Sequence, residues 1–476
     1  MKFDFICICL LFVTAFSFTA QAQESDSVKA EIQKIIKKSG IPESDLGIYI
    51  TTGEGSNQEV IYDVNSKKKM IPASISKVAT ASATLESFPP GHKFKTQLLS
   101  DGSIKDKTLK GNLYLKGGGD PSFVSENMWF LVNHFKRNEI IKVDGDIVVD
   151  DSYFDAKRFD PSRQPERVDR AYDAPVGAMS FNWNSINIYV RPGNKPGDPG
   201  KVFLDPENEY VRLVNKTSTG AGNDSSIAAS RVEDKDFGGD VIHVSGRIGK
   251  GSKEVVVYKN ITKPDLWSGY NLKSFLAQRG VAVTGKIRVG RAAEGANVFA
   301  EADSKSIEQI LADMNKFSNN YVAEMLTKNM GALKGNPGNL DAGMEIINNH
   351  LKKLGLPEDQ YLMQNPSGLT RDNRMSAFAM WKIILHLKND FQIQPEFLSS
   401  LPIAGIDGTL KKRMKNTAGE RWVRAKTGYL SNVVSLAGYA GRSDGRVYTF
   451  TFIFNGGKDE GTVRSFFDQM LITLVK

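Results

Sequence analysis

Ser74 and Lys77 stand three residues apart in Ile71-Pro72-Ala73-Ser74-Ile75-Ser76-Lys77, at the head of a run of small residues from Val78 to Leu85. A proline just before such a run marks a helix start, so the sequence predicts a helix with Ser74 in its first turn and Lys77 one turn on. Residues three apart on a helix share a face, which brings the lysine amine within reach of the serine hydroxyl. The helix N-terminus adds free N–H groups and the positive end of its dipole. An alcohol attacks poorly until something takes its proton, and a lysine can do so once desolvation or neighbouring cations lower its pKa. The pair is therefore a candidate nucleophile and base. Ala73, Ala79, Ala81 and Ala83 allow close approach on several faces, so the helix is expected to be buried.

S-x-x-K alone is a weak signal, because Ser66-Lys67-Lys68-Lys69 matches it and reads as a solvated charge run in a turn. Serine acylases that use S-x-x-K add an S-x-N and a K-T-G. S-x-N occurs at Ser125, Ser180, Ser185 and Ser318. Only the last separates two helical patterns, Ile307, Ile310, Leu311 and Met314 before it and Tyr321, Val322, Met325 and Leu326 after it, which leaves Phe317-Ser318-Asn319 as an interhelical turn. K-[ST]-G occurs at Lys38-Ser39-Gly40, which reads as a helix ending, and at Lys426-Thr427-Gly428. The second lies in an apparent strand, where Gly428 would let a substrate backbone lie close to the strand edge.

The elements that must position these motifs come from the two ends of the chain. Ser25-Asp26-Ser27 can cap a helix whose Val28, Ile32, Ile35 and Ile36 form one stripe, ending at Gly40. Leu46 to Thr52 and Glu59 to Val64 read as a hairpin; Arg424 to Gly428, Val433 to Tyr439 and Val447 to Phe454 read as three more strands, and Val463 to Leu474 as a terminal helix. Between Ser74 and Ser318 lies far more chain than one minimal domain needs. This strand-rich, glycine-rich stretch suggests one or two inserted modules.

Met1-Lys2, the apolar run Phe5 to Phe18 and Ala20-Gln21-Ala22 form the three parts of a secretory signal peptide, with cleavage expected after Ala22. Both cysteines, Cys7 and Cys9, lie inside it, so the mature chain is expected to have no thiol or disulfide. The net charge of +8 on 476 residues suits an anionic cell envelope as well as simple solubility, and export makes nucleic acid a poor partner. His92, His134, His243, His350 and His386 lack ligand-like spacing, so no metal is expected. Gly117-Gly118-Gly119 reads as a tight structural turn, Trp129, Trp183 and Trp267 as core, and Lys411-Lys412-Arg413 as a solvated helix face.

With its three motifs in this order, the sequence resembles the penicillin-binding protein 4 type of D-alanyl-D-alanine carboxypeptidase/endopeptidase, of the serine β-lactamase/transpeptidase superfamily. The likeness extends to Lys116-Gly117-Gly118-Gly119-Asp120-Pro121, Asp144-Gly145-Asp146, Asp150-Asp151-Ser152-Tyr153-Phe154, Tyr172-Asp173-Ala174-Pro175-Val176, Phe181 to Asn187, Ser367-Gly368-Leu369-Thr370-Arg371 and Asp407-Gly408-Thr409-Leu410. One departure is Asn319, where many relatives carry aspartate; that side chain is assigned no chemistry, so activity is expected to be kept.

The resemblance implies an α+β fold, an antiparallel sheet with flanking helices plus a helical lobe. It implies an acyltransferase domain at 23–95 and 293–476, an inserted domain at 96–195 and 256–292, and an inner one at 196–255, after a leader at 1–22. It assigns catalysis to Ser74, Lys77, Ser318, Asn320 and Lys426, and substrate binding to Thr427, Gly428 and Tyr429. Tyr172, Arg371 and Asp169 fall near a side-chain subsite. No cofactor is implied; the partners are peptidoglycan stem peptides and crosslinks, with β-lactams as covalent inhibitors, in the periplasm or outside the cell. A serine β-lactamase uses the same motifs, and a non-catalytic wall-binding protein is the alternative of another class.

Overall fold

Alternating β-branched and aromatic residues on either side of a glycine-rich turn make Leu46–Thr52 and Glu59–Val64 an antiparallel hairpin. In the computed structural model, which describes residues 27–162 and 169–476, this hairpin joins three strands from the far end of the chain. The sheet order is Glu59–Val64, Leu46–Thr52, Val447–Asn455, Val433–Gly441, Val423–Leu430, antiparallel throughout. The strand carrying Lys426-Thr427-Gly428 is thus an edge. The leader, both cysteines and the Ser25-Asp26 cap lie outside the described residues.

The sheet is covered on both faces, which is why its central strands read as continuous apolar runs. On one face the helix over 27–39 and the helix Glu460–Val475 pack Ile32, Ile36, Phe466, Phe467 and Met470 against Ile48, Ile50, Phe450, Phe452 and Leu436. On the other, Ala377–Asn389 packs Ala377 and Trp381 against Tyr49, with Trp381 Nε1 donating to Thr51 Oγ1 at 2.9 Å and Tyr439 donating to Ile384 O at 2.7 Å. Together with Leu311–Ser318 and the chain from Asn348 onward, these elements make one compact unit.

The second unit comprises Thr84–Ile310 and Asn319–Ile347. Its five-stranded sheet runs Ile287–Val289, Ile147–Asp150, Leu113–Gly117, Lys95–Ser100, Asn297–Asp303. Leu113–Gly117 and Ile147–Asp150 are parallel, as the crossover helix Ser125–Lys136 between them allows. A four-stranded and two three-stranded sheets complete it. Tyr210, Ile242, Val244 and Ile248, from the stretch 196–255, share one apolar core with Leu98, Phe135, Phe181 and Trp267.

Three local expectations need correction. Trp267 is fully buried, but Trp129 and Trp183 are 41% and 40% exposed: Trp129 lies under the Arg279 guanidinium, and Trp183 sits in a left-handed turn at φ 52°. Lys411-Lys412-Arg413 is no solvated helix face. Lys411 and Lys412 are exposed as expected, but on irregular turns after the 3₁₀ turn Gly408–Leu410 and not on a helix, and the Arg413 guanidinium is sequestered against Asp468 of the terminal helix, with Nη2···Oδ1 at 2.6 Å. Burial pushes the Asp468 carboxyl upward and Arg413 pulls it back.

Removing one partner of such a sheltered pair leaves a charge without compensation. Arg413→Met is therefore expected to lower the free energy of unfolding by about 3 kcal/mol in urea titrations, with Asp468→Leu added on top recovering part of the loss. Equal stability of Arg413→Met and wild type would show that the pair contributes nothing.

Candidate active site

Pro72 ends the chain's approach from the sheet, and Ala73–Ile75 make a single 3₁₀ turn that runs into the helix Ser76–Ser87. Ser74 is partly exposed on that turn, while Lys77 is fully buried. As the spacing predicts, Lys77 Nζ reaches Ser74 Oγ at 3.2 Å; it also donates to Ser367 O at 2.6 Å. Ser66, in the competing S-x-x-K, bonds Asp63 at 3.0 Å while Lys67, Lys68 and Lys69 are exposed, so the solvated reading holds there.

The edge strand seats directly against this turn. Ser435 Oγ, on the neighbouring strand and paired with Gly428, donates to Pro72 O at 2.6 Å. A Cβ on Gly428 would come within 2.1 Å of Ser435 Oγ, 2.8 Å of Pro72 O and 3.1 Å of Ile75 N. Close approach explains this glycine, and within the protein what approaches is the Ser74 turn.

Two residues before Gly428, Lys426 is wholly buried. Its Nζ donates to Ser318 Oγ at 2.9 Å and to Thr427 O at 2.7 Å, both neutral oxygens, and burial pushes its pKa down to about 7. Ser318 occupies the turn after the helix Ile307–Lys316 at φ 55°, a conformation rare for a residue with a side chain. Asp407-Gly408-Thr409 holds that turn: Lys316 Nζ binds Asp407 Oδ2 at 2.6 Å, and a Cβ on Gly408 would lie 2.6 Å from Lys316 O. The same stretch presents Thr409, whose Oγ1 accepts from Thr427 Oγ1 at 2.8 Å. The first unit thus gathers an alcohol beside a buried amine, a second alcohol on a second buried amine, and a hydroxyl-lined strand edge.

The remaining candidates have their own settings. Tyr429 turns its half-exposed ring toward the terminal helix, with the Arg464 guanidinium 4.7 Å from the ring centroid. Arg371 is exposed and donates from Nη2 to Ser431 O at 2.6 Å. In the second unit, Asn319 is the N-cap of Asn320–Ala332, its Oδ1 accepting from Val322 N at 3.3 Å. Asparagine caps a helix there as well as aspartate would. Asn320, 6% exposed, donates to Tyr172 O at 3.3 Å. Tyr172 is half exposed and takes an Arg170 hydrogen bond at 2.6 Å, whereas Asp169 is paired with Lys259 at 2.7 Å. Ser367, Thr409 and Ser435 were not assigned roles from sequence. Two of them lie in recognised stretches, but a backbone carbonyl that orients a lysine leaves no mark in residue type.

A model of the D-Ala-D-Ala carboxypeptidase 3 (S13) family matches residues 28–474. The D-alanyl-D-alanine carboxypeptidase of Actinomadura sp. (strain R39) is 28% identical over 443 residues, which are 90% of this chain and 81% of that protein. The D-alanyl-D-alanine carboxypeptidase DacB of Haemophilus influenzae is 25% identical over 87% of this chain and 86% of its own. Among solved structures, penicillin binding protein 4 of H. influenzae is similar with a TM-score of 0.76 at 23% identity, covering 93% of this chain and 98% of that one. The predatory peptidoglycan endopeptidase Bd3459 of Bdellovibrio bacteriovorus is similar with a TM-score of 0.53 at 16% identity, covering 90% and 92%.

The depressed Lys426 has a measurable signature. An unfolded lysine keeps its proton up to about pH 10.4, whereas the folded one releases it near 7. Between those values the unfolded state binds more protons, so stability rises with pH there, by at most about 1.4 kcal/mol per unit. The unfolding free energy of wild type relative to Lys426→Met is expected to climb from pH 7 to 10 and to be flat below pH 6. A difference that is flat across pH 7 to 10 would contradict a buried, depressed Lys426.

Proposed function

This chain belongs to the D-Ala-D-Ala carboxypeptidase 3 (S13) family, and from that premise we propose that it hydrolyses peptidoglycan peptides through an ester on Ser74. It is a serine D-alanyl-D-alanine carboxypeptidase of the penicillin-binding protein 4 type, with peptidoglycan as substrate and β-lactams as substrate-like inhibitors. The observation that carries the proposal is the buried Lys77 amine 3.2 Å from Ser74 Oγ, on a turn seated against the strand of Lys426.

Ser74 Oγ attacks the carbonyl between the two terminal D-alanines, and its proton passes to Lys77 as the C–O bond forms. The oxyanion is met by the backbone N–H groups of Ser74 and Tyr429. The C–N bond then breaks, and the departing amine takes a proton delivered through Ser318. Water repeats the attack on the ester and frees Ser74. Asn320 holds the substrate amide carbonyl, as the resemblance assigns it. Lys426 and Thr427 bind the terminal carboxylate, which gives Lys426 the counter-charge its own surroundings lack. Binding above pH 7 is therefore coupled to proton uptake at Lys426.

The same chemistry on a D-alanyl-diaminopimelate crosslink makes the enzyme an endopeptidase, and the resemblance alone assigns Tyr172, Arg371 and Asp169 to the substrate's side-chain subsite. Arg371 suits a carboxylate there. The leader expected at 1–22 and the net charge of +8 support action outside the cytoplasm, on an anionic envelope. Among the described residues no helix is long and apolar enough to cross a membrane.

Mass spectrometry of muropeptides after incubation with the purified protein tests this reading. Pentapeptides are expected to lose one D-alanine and crosslinked dimers to become monomers. Lys77→Arg should abolish both, because a guanidinium does not give up its proton. Lys426→Ala should slow turnover about tenfold to somewhat over a hundredfold, the equivalent of losing a charged hydrogen bond worth roughly 1.5 to 3 kcal/mol. Unchanged muropeptides, or a Lys77→Arg enzyme as fast as wild type, would refute the mechanism. Sustained nitrocefin turnover would move the reading to a β-lactamase.

A further inference from the structure

The Ser367 carbonyl that receives a hydrogen bond from Lys77 is itself held by two buried asparagines that no sequence motif singled out. Asn365 Oδ1 accepts from Ser367 N at 2.9 Å, from Ser367 Oγ at 2.8 Å and from Gly368 N at 2.8 Å, folding the loop around its own side chain. Asn373 then fixes Asn365 from both ends of its amide. Its Oδ1 accepts from Gln364 N at 2.9 Å and Asn365 N at 3.0 Å, and its Nδ2 donates to Asn365 O at 2.8 Å. The same Nδ2 donates to Ser76 Oγ at 3.1 Å, next to Lys77 on the serine helix. One turn further on, Thr80 Oγ1 donates to Pro366 O at 2.7 Å.

Ser76, Lys77 and Thr80 thus each clasp the loop, and all of Ser76, Lys77, Thr80, Asn365, Ser367 and Asn373 are fully buried. The loop also lies flush on the nucleophile's turn: Gly368 has φ 74°, and a Cβ there would come within 2.0 Å of Ala73 O. An amine that is to accept a proton has two N–H bonds and one lone pair, so directing an N–H at a fixed carbonyl restricts where the lone pair can point. At Lys77 that carbonyl is Ser367 O at 2.6 Å, and Ser74 Oγ lies at 3.2 Å.

We propose that Asn365 and Asn373 are positioning residues for acylation, setting the Ser367 carbonyl that orients Lys77 toward Ser74. The inference rests on the reading of Ser74 and Lys77 as nucleophile and base. It predicts a loss confined to the chemical step, since both asparagines are fully buried away from the surface a substrate can reach.

The experiment is stopped-flow acylation by a fluorescent penicillin, which separates the limiting acylation rate from the half-saturating concentration. Wild type, Asn365→Ala, Asn365→Asp, Asn373→Ala and Asn373→Asp are compared, each with its folded fraction measured by near-ultraviolet circular dichroism. Asn365→Ala and Asn373→Ala are expected to lower the limiting rate about 10- to 100-fold, the scale of a misplaced catalytic group. The half-saturating concentration should change by less than about threefold, since transition-state and not ground-state interactions are lost. Asn365→Asp keeps the Oδ1 acceptor and should restore the rate to within about fivefold of wild type. Asn373→Asp keeps the shape but loses both donated bonds, so it should stay slow; it carries the test if the alanine variants do not fold. Folded Asn373 variants that acylate at the wild-type rate, or an Asn365→Asp enzyme no faster than Asn365→Ala, would reduce the asparagines to a folding clip and overturn the proposal. A wild type that penicillin does not acylate would instead refute the underlying reading.

Discussion

The proposed catalytic geometry depends on an edge strand that can lie against a helix-starting turn because one of its residues has no side chain. At Gly428 the strand Val423–Leu430 meets Pro72 and Ile75 so closely that any Cβ would overlap backbone, and Ser435 locks the contact with a 2.6 Å bond to Pro72 O. That seating sets where Ser74 stands relative to the strand carrying Lys426. The pairing register then puts Lys426, two residues earlier, on the same face of the sheet as Gly428. The covered sheet behind, with Phe450 and Phe452 fully buried, keeps the edge from shifting.

A second constraint follows from burial. Removing a lysine from water is costly, and the fold removes two beside one active site. For Lys426 the cost shows as a pKa near 7 and hydrogen bonds only to neutral oxygens. Such a site is poorly satisfied until an anion arrives, a feature that would not survive if stability alone were selected. In the proposed reaction the substrate carboxylate supplies that anion. Strain points to the same place: Ala73 and Ser318, flanking Ser74 and carrying the second hydroxyl, both adopt positive φ without being glycine.

Much of this was legible in the sequence, because it is written in periodicity and spacing. The five strands and the terminal helix fall within a few residues of their expected bounds, and Phe317-Ser318-Asn319 is the interhelical turn that the flanking patterns required. The Ser74–Lys77 contact followed from a three-residue separation near a helix start. What could not be read was work done by backbone and by long-range packing. The Ser367 carbonyl, the Thr409–Thr427 contact and the clasp of Asp407 on Lys316 join segments far apart in the chain, so no local pattern announces them. Trp129 and Trp183 failed for a related reason. Aromatic residues are usually core, but a cation over one ring and a left-handed turn at the other hold both at the surface.

The central claim is that Ser74, and no other hydroxyl, becomes the acyl carrier. Intact-mass spectrometry of the protein after benzylpenicillin treatment, followed by peptide mapping of the adduct, tests it most directly. The account predicts one penicilloyl group per chain, carried on the peptide that contains Ser74 and absent from a Ser74→Ala protein. An adduct on Ser318 or on any other residue, or an unmodified wild-type chain, would contradict it.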